Sequence, residues 1–264
     1  MDTKVENIIN QAVLNMINKC GSTKKIKHLL KKHDAKIHFI PKKYRVFGGL
    51  LQSMNIQFGN FIEELMAVLI ENEDRFEVIR KYKSKSSNIF KISNSNETKI
   101  DSYITKCQID SLFDINTEFP KLLESIIQDN DSELNTFKHD IDLLFKDKIT
   151  GVIYYLEMKY NDDHDTGKFV DINRKFIKTY AYLTREFNVS TKEELVPILF
   201  FFTNKRMKGN IYIPEQSNIR RGKHFFEEYL SIDYLDVDEY MCNLSESDSV
   251  VKMFSDLYTK IMNL

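Results

Sequence analysis

Three residues near the middle of the chain have the types and spacing of a phosphodiester-cleaving centre. They are Asp142, Glu157 and Lys159. Two neighbouring carboxylates repel each other unless a cation lies between them, and Mg²⁺ prefers hard oxygen ligands such as carboxylates, waters and substrate phosphates. A lysine beside such a metal can orient or activate a water and can balance the charge that builds up on phosphorus. The three residues therefore predict metal-assisted phosphodiester hydrolysis.

A β-hairpin is the element that must bring these residues together. The pattern predicts one strand over 140–145 and a second over 152–159, joined by 146–151 with Gly151 at a position of positive φ. Side chains alternate along a strand, so Glu157 and Lys159 share one face and Asp142 can lie near them on the neighbouring strand. Asp140 has the same parity and could compete with Asp142.

An ordinary ion-pair network in an interaction protein is the alternative explanation. Glu-x-Lys occurs by chance in most charged proteins, usually as an exposed pair worth ~0–1 kcal/mol. The apolar residues that flank these charges favour a buried position instead, where unpaired charges are costly.

The motif Asp142 … Glu157-Met158-Lys159 resembles that of the PD-(D/E)XK nucleases. More narrowly, residues 40–230 resemble type II restriction endonucleases of the TdeIII and HinfI kind. The chain departs from the superfamily pattern because no proline precedes Asp142. The segments that match in order are FGNFIEE (58–64), DIDLLF (140–145), YLEMK (155–159), NDDHDTG (161–167) and KFIKT (175–179).

The resemblance implies an α/β fold with a PD-(D/E)XK restriction-endonuclease-like core, in which helices flank a central mixed β-sheet and further helices lie at both termini. It implies Mg²⁺ held by Asp142 and Glu157, with Glu64 as a possible further ligand and Lys159 as a catalytic residue.

The implied substrate is double-stranded DNA. It would be cut by a homodimer with twofold symmetry at a short palindrome, which is either continuous or interrupted by an unspecified base as in GANTC or GGNCC. A cognate DNA methyltransferase would be the functional partner. Two rivals remain: a repair or junction nuclease without sequence specificity, and a non-catalytic DNA-binding protein.

The charge is sorted along the chain although the net charge is only −1. Residues 19–45 contain ten Lys or Arg and one acid, and residues 168–223 contain twelve against five acids. Solvated helix faces are the alternative explanation for such runs. Arg and Lys can read guanine edges and Asn can read adenine edges, so a loop over 204–223 is the candidate base reader. The predicted DNA-binding residues are Lys168, Lys175, Lys178, Asn204, Lys205, Arg206, Lys208, Arg220, Arg221 and Lys223.

Composition favours a cytoplasmic protein with no membrane segment. The three cysteines are odd in number and widely spaced, which argues against a disulfide framework or a zinc site. The charged first residues are unlike a signal peptide. The longest apolar run, 196–202, is far short of the ~20 residues that a membrane helix needs.

The sequence predicts a single nuclease domain over 1–264. Its parts are a basic helical segment (1–58), a catalytic core (59–203) and a recognition loop with C-terminal helices (204–264). In the N-terminal half the predicted elements are a helix from Val5 that Gly21 ends, helices over 22–33, 43–57 (interrupted at Gly48-Gly49) and 60–82, and a polar loop or exposed hairpin over 84–98. Helices over 100–113 and 121–127 follow, the second opened by Pro120. After the central hairpin the predicted elements are a helix over 171–187, a buried strand over 195–202, and helices over 223–230 and 247–262.

Overall fold

The structure, a computed structural model, describes residues 3–34, 36–82, 88–160, 166–205 and 212–264, with the backbone alone for 166–168. The helices are α1 (Thr3–Cys20), α2 (Thr23–Asp34), α3 (Lys42–Glu71), α4 (Asn94–Ile109), α5 (Ile115–Ile127), α6 (Thr166–Glu186), α7 (Glu215–Asn218), α8 (Gly222–Tyr229), α9 (Tyr234–Ser245) and α10 (Asp248–Met262). The strands are β1 (Phe76–Val78), β2 (Ile89–Ser93), β3 (Leu134–Lys138), β4 (Leu143–Asp147), β5 (Ile153–Lys159), β6 (Leu195–Phe201) and β7 (Ile219–Arg221). Among the described residues, no helix is long and apolar enough to span a membrane.

The chain divides into two compact units. The first comprises Met1–Leu65 and Ile232–Leu264, and the second comprises Met66–Ser231. The first unit is helical, and the apolar faces of α1, α2, α3 and α10 form its core. The sequence assigns the basic N-terminal helices and the C-terminal helices to separate segments. In the structure they belong to one unit.

Helix α3 runs without a break through Gly48 and Gly49, so the predicted interruption there is wrong. A Cβ at Gly49 would lie 3.2 Å from Leu29 Cδ2 and 3.5 Å from His33 Nε2, both on α2. The missing side chain lets α2 approach α3 closely, and this packing outweighs the poor helix propensity of glycine.

The second unit contains a five-stranded mixed sheet with the order β1-β4-β5-β6-β7. The pairs β1–β4 and β4–β5 are antiparallel, whereas β5–β6 and β6–β7 are parallel. Because α6 connects the parallel strands β5 and β6, β4 to β6 form the predicted strand–strand–helix–strand sequence. The prediction of an α/β fold with a mixed central sheet is confirmed.

Helices cover both faces of this sheet. On one face the ring of Tyr155 stacks on Phe176 of α6, with centroids 5.3 Å apart. On the other face Phe145 and Tyr154 pack against Tyr229 of α8, at 5.8 and 5.2 Å. Alternation along β5 therefore directs the side chain of Glu157, like that of Tyr155, toward α6.

Two predicted element boundaries between α3 and α4 are wrong. The helix through Asn60 ends at Glu71 and is followed by β1, not continued to residue 82. Within the predicted polar loop 84–98, the described residues form β2 and the start of α4. The Ser/Asn-rich segment is a helix start, since Ser93 Oγ accepts a hydrogen bond from the backbone N–H of Asn96.

Two further predictions differ from the structure, and one helix was missed. Pro120 lies inside α5, which Asp114 caps, and does not open it. The predicted loop 204–223 contains α7, β7 and the start of α8, because β7 continues the parallel sheet beside β6. Helix α9 was not predicted. The predicted boundaries of α1, α2, β6, α8 and α10 agree within a few residues.

Candidate active site

The open end of the β4–β5 hairpin brings the three predicted catalytic residues together. Asp142 immediately precedes β4, and the register Leu143↔Leu156 places it beside Glu157. Lys159 is the last residue of β5. The exposed fractions of the three side chains are 15% for Asp142, 8% for Glu157 and 19% for Lys159. The charges are therefore largely buried, as the flanking apolar residues suggested.

Three oxygen atoms converge on the ammonium of Lys159. Its Nζ lies 2.7 Å from Glu157 Oε1, 2.8 Å from the Met158 carbonyl oxygen and 3.8 Å from Asp142 Oδ2. Asp142 Oδ2 also accepts a hydrogen bond from the backbone N–H of Met158, at 2.7 Å. Two largely buried carboxylates and one carbonyl thus face a single positive charge. Hard oxygen atoms grouped around a cation position are what a divalent metal requires.

The second oxygen of Glu157 faces the interior of the unit. Its Oε2 lies 3.5 Å from the Tyr155 hydroxyl and 3.8 Å from His139 Nε2. Burial raises the pKa of Tyr155 well above its usual range, so the hydroxyl stays protonated and donates. Thr179 Oγ1 of α6 contacts His139 Nδ1 at 3.1 Å. These contacts fix the carboxylate so that Oε1 points toward Lys159.

His139 is the residue of this site that sequence reasoning missed. Burial lowers the pKa of its imidazole, an effect that Glu157 partly offsets and that the charges of Lys159 and Lys175 reinforce. The ring is therefore neutral near pH 7. Its position follows β3, a strand that no pattern predicted, so no local signal pointed to it. His164, the histidine of the matching segment 161–167, lies outside the described residues.

The structure distinguishes Asp140 from Asp142. The side-chain amide of Asn88 donates to Asp140 Oδ1 at 3.3 Å, whereas Asp142 lies with Glu157 and Lys159. Glu64 belongs to α3 in the first unit, whereas Asp142, Glu157 and Lys159 belong to the second unit. Its role as a metal ligand remains a prediction.

The predicted phosphate contacts on α6 have partners within the protein. Lys178 forms an ion pair with Glu97, and the Lys178 hydrogen bond is the main reason that the pKa of Glu97 is lowered. Lys175 pairs with Asp171 at 2.8 Å and keeps 46% of its side chain exposed. The side chain of Lys168 is not described. Of these lysines, Lys175 is the more accessible and also acts electrostatically on His139.

Both arginines of β7 are held by carboxylates. Arg220 pairs with Glu228 of α8 and also donates to backbone carbonyls. Arg221 donates to Glu215 at 2.7 and 3.0 Å and to the Lys205 carbonyl at 2.9 Å. Both residues therefore support the local fold.

The other predicted base-reading residues differ in accessibility. Asn204 Oδ1 accepts a hydrogen bond from the backbone N–H of Lys223, and Lys223 Nζ lies 3.6 Å from Glu227. The residue Lys205 is exposed. Arg206 and Lys208 lie outside the described residues.

Comparison with known proteins identifies the family. The model of the family "Type II restriction endonuclease, HinfI" matches residues 1–245. The type II restriction enzyme HinfI of Haemophilus influenzae is 58% identical over 262 residues, which is 99% of each chain. No solved structure matches the chain. The chain therefore belongs to the HinfI family of type II restriction endonucleases.

This membership confirms the predicted enzyme class. The chain is a site-specific deoxyribonuclease, and type II restriction enzymes act on double-stranded DNA and generally require a divalent metal ion. The alternatives of a repair nuclease, a non-catalytic DNA-binding protein and an interaction protein with a fortuitous ion-pair network are thereby excluded.

Proposed function

We propose that the open end of the β4–β5 hairpin is the centre at which this enzyme hydrolyses DNA, with Mg²⁺ as the cofactor. The observation that carries the proposal is the convergence of Glu157 Oε1, the Met158 carbonyl and Asp142 Oδ2 on one ammonium. Two carboxylates sharing one lysine form a site with an excess of negative charge, and a divalent cation compensates such an excess.

Asp142 and Glu157 would hold the metal, and their oxygen atoms fit Mg²⁺. Among the described residues, no group of three or more His, Cys, Asp or Glu side chains is placed to hold a metal ion. The remaining ligands would then be the Met158 carbonyl oxygen, waters and a substrate phosphate. When bound, Mg²⁺ acts as a Lewis acid on the scissile phosphate.

Lys159 would do the chemistry that needs a mobile positive charge. It contacts Glu157 Oε1, one of the oxygen atoms that would hold the metal, so its ammonium would lie beside the bound phosphate. The ammonium would orient the attacking water and stabilise the charge that develops on phosphorus. His139 is neutral and largely buried behind Glu157, so its proposed role is to hold that carboxylate.

The sheet supports assignment to the PD-(D/E)XK superfamily. An antiparallel hairpin carries the acidic residues, a helix follows, and a parallel buried strand completes the core. In such a core the ends of β4 and β5 place carboxylates from two strands within a few ångströms of each other. The order of these elements and the grouping of Asp142, Glu157 and Lys159 support this assignment, although no proline precedes Asp142.

The proposed recognition sequence is GANTC, with the GGNCC type as the alternative. A palindrome matches a homodimer in which each subunit cuts one strand. The predicted DNA-binding residues, Lys168, Lys175, Lys178, Asn204, Lys205, Arg206, Lys208, Arg220, Arg221 and Lys223, remain the proposed contacts. Lys175 and Lys205 suit phosphates because they are exposed, whereas Lys178, Arg220 and Arg221 must exchange an internal partner to reach DNA. The proposed setting is the cytoplasm, with a DNA methyltransferase that protects the same sites.

The test compares the wild type with Glu157→Gln and with a matched control, Glu193→Gln, which alters an exposed acid just before β6. Each protein is incubated with a long duplex containing GANTC and GGNCC sites, with and without Mg²⁺, and the ends are mapped. We expect Mg²⁺-dependent fragments with one recurring end sequence from the wild type and the control. Glu157→Gln should lose at least roughly 10³-fold in rate, because a metal ligand is lost. Unimpaired cutting by Glu157→Gln would remove this residue from the site.

A further inference from the structure

The connection between α2 and α3 exposes large apolar side chains. The exposed fraction is 105% for Ile37 and 93% for Phe39, and Tyr44 at the start of α3 is 52% exposed. Scattered exposed apolar residues are ordinary. Here they cluster on one short connection, and such a cluster marks a surface that meets another molecule.

Positive charge surrounds this connection. The pKa of His33 is lowered first by burial and then by Lys36, Arg45, Lys32 and His38, which shows that these groups lie close together. Asp34, the one acid of the region, already pairs with Lys42. Lys32 and Lys36 form no ion pair with any other described residue. The apolar side chains therefore stand within a field of uncompensated cations.

Local contacts hold residues 36–41 of the connection, the part that the structure describes, in a defined shape. Arg45 Nη1 donates to the Lys36 carbonyl at 3.2 Å, and the backbone N–H of Ile40 donates to His38 Nδ1 at 2.9 Å. The ring of His38 stacks on Phe39 with centroids 5.1 Å apart. Ordering a side chain before binding lowers the entropy lost on binding, so Phe39 is preorganised for contact.

We propose that this connection is a second DNA-binding site of the enzyme. The cations Lys32, Lys36 and Arg45 bind phosphates of the duplex, and Phe39, with Ile37 beside it, enters the groove against the base pairs. Phosphate neutralisation supplies affinity that does not depend on sequence. Apolar wedges flanked by basic residues are a common way to widen and bend the minor groove.

Charge complementarity favours DNA over a second copy of the chain as the occupant. A twofold interface built on this surface would bring the same cations of two copies together, and like charges at an interface oppose association. Duplex DNA carries the opposite charge along its whole length. This inference rests on the established action of the family on DNA, not on the proposed metal site or recognition sequence.

The electrostatic part is tested with Lys32→Gln/Lys36→Gln and a control that loses the same charge, Lys146→Gln/Lys148→Gln at the β4–β5 turn. Binding to two duplexes, one with and one without GANTC, is measured by fluorescence anisotropy without divalent metal over a range of salt concentrations. We expect the slope of log affinity against log salt to fall by ~2 for both duplexes in the first variant. The control should keep the slope of the wild type.

The apolar part is tested with Phe39→Ala against Ile149→Ala, which removes a side chain of the turn that is 80% exposed. A duplex with 2-aminopurine at successive positions reports unstacking. We expect the wild type to raise the 2-aminopurine fluorescence, and Phe39→Ala to lose this rise and to bind both duplexes roughly tenfold more weakly, because the ring no longer contacts the bases. Phe39→Leu should retain most of both signals, because leucine also serves as a wedge.

Three outcomes would overturn the proposal. One is unchanged affinity and salt slope in these variants on both duplexes. Another is a wild type that binds neither duplex at low salt. The third is a change of sedimentation coefficient in Phe39→Ala with unaltered DNA affinity, which would make the surface a protein interface. Because all the readouts are taken without metal, a wrong metal site or recognition sequence would leave them unaffected.

Discussion

The two ends of the β4–β5 hairpin each hold an aspartate beside a cation, but they are built differently. At the turn, Asp147 Oδ2 accepts two hydrogen bonds from Arg75, at 2.8 and 2.6 Å, and Oδ1 accepts backbone N–H groups of Ile149 and Thr150, at 2.8 and 3.3 Å. At the open end, Asp142 and Glu157 share the ammonium of Lys159.

The difference separates a carboxylate that stabilises the fold from the two carboxylates that we propose hold the metal ion. Arg75 is the main reason that the pKa of Asp147 falls to about 2, so this carboxylate is satisfied by its own protein. At the open end both carboxylates contact the same lysine, and we propose that an added cation completes this site, whereas the carboxylate at the turn pairs with an arginine of its own.

The most direct test of this comparison neutralises the aspartate at each end of the hairpin by substitution with asparagine, which has nearly the same shape. Asp142→Asn should lose cleavage by at least roughly 10³-fold, because a metal ligand is lost. Its melting temperature should stay the same or rise, because the like charge beside Glu157 disappears while the amide oxygen can still accept the Met158 N–H. Cleavage of a GANTC duplex and thermal unfolding without metal measure the two effects.

Asp147→Asn is the matched variant at the turn, and here we expect a loss of stability without a loss of cleavage. It should keep cleavage and unfold more easily by ~1–2 kcal/mol, since Arg75 is half-exposed and can be hydrated after its partner is lost. If Asp142→Asn destabilised the protein as much as Asp147→Asn, both ends would be structural. The assignment of function to the open end would then be wrong.

Spacing along the chain was enough to predict that Asp142, Glu157 and Lys159 lie together. Period-two alternation and a glycine at the turn place Asp142 beside Glu157 in any hairpin with this register, and Gly151 does adopt φ +79°. The apolar run of β6 likewise predicted a buried strand. These features depend on neighbours within about twenty residues, where local patterns carry the information.

The surroundings of the site depend on long-range contacts that no local pattern shows. Lys178 meets Glu97, which lies 81 residues away, and Thr179 meets His139 at a separation of 40 residues. Arg220 was predicted to read bases from a loop, but β7 joins the sheet and Glu228 holds its guanidinium. These partners are decided by tertiary packing on the sheet, namely that of strands β2 and β3 and of helices α6 and α8.

The role of the Asp147 carboxylate can also be tested by the pH dependence of stability. The pKa of Asp147 in the folded protein is about 2, against a usual value of 3.8. The folded value is depressed, so its stabilisation is fully present above about pH 4 and is lost as the pH falls toward 2. The difference in unfolding free energy between the wild type and Asp147→Asn should therefore shrink across this window. Urea unfolding at several pH values measures it, and a difference independent of pH would contradict the role of the carboxylate charge.

The smallest expected effect concerns the turn itself. Gly151 has φ +79°, and a Cβ built there meets no atom within 4 Å, so Gly151→Ala should cost only backbone strain, ~1 kcal/mol. Gly48→Ala in α3 also meets no atom within 4 Å and should instead stabilise the protein by ~0.5–1 kcal/mol, because alanine favours a helix interior. Urea unfolding compares the two, and neither should alter cleavage. A loss of cleavage in Gly151→Ala alone would mean that the turn controls the geometry of Asp142 and Glu157. The two ends of the hairpin would then be structurally coupled.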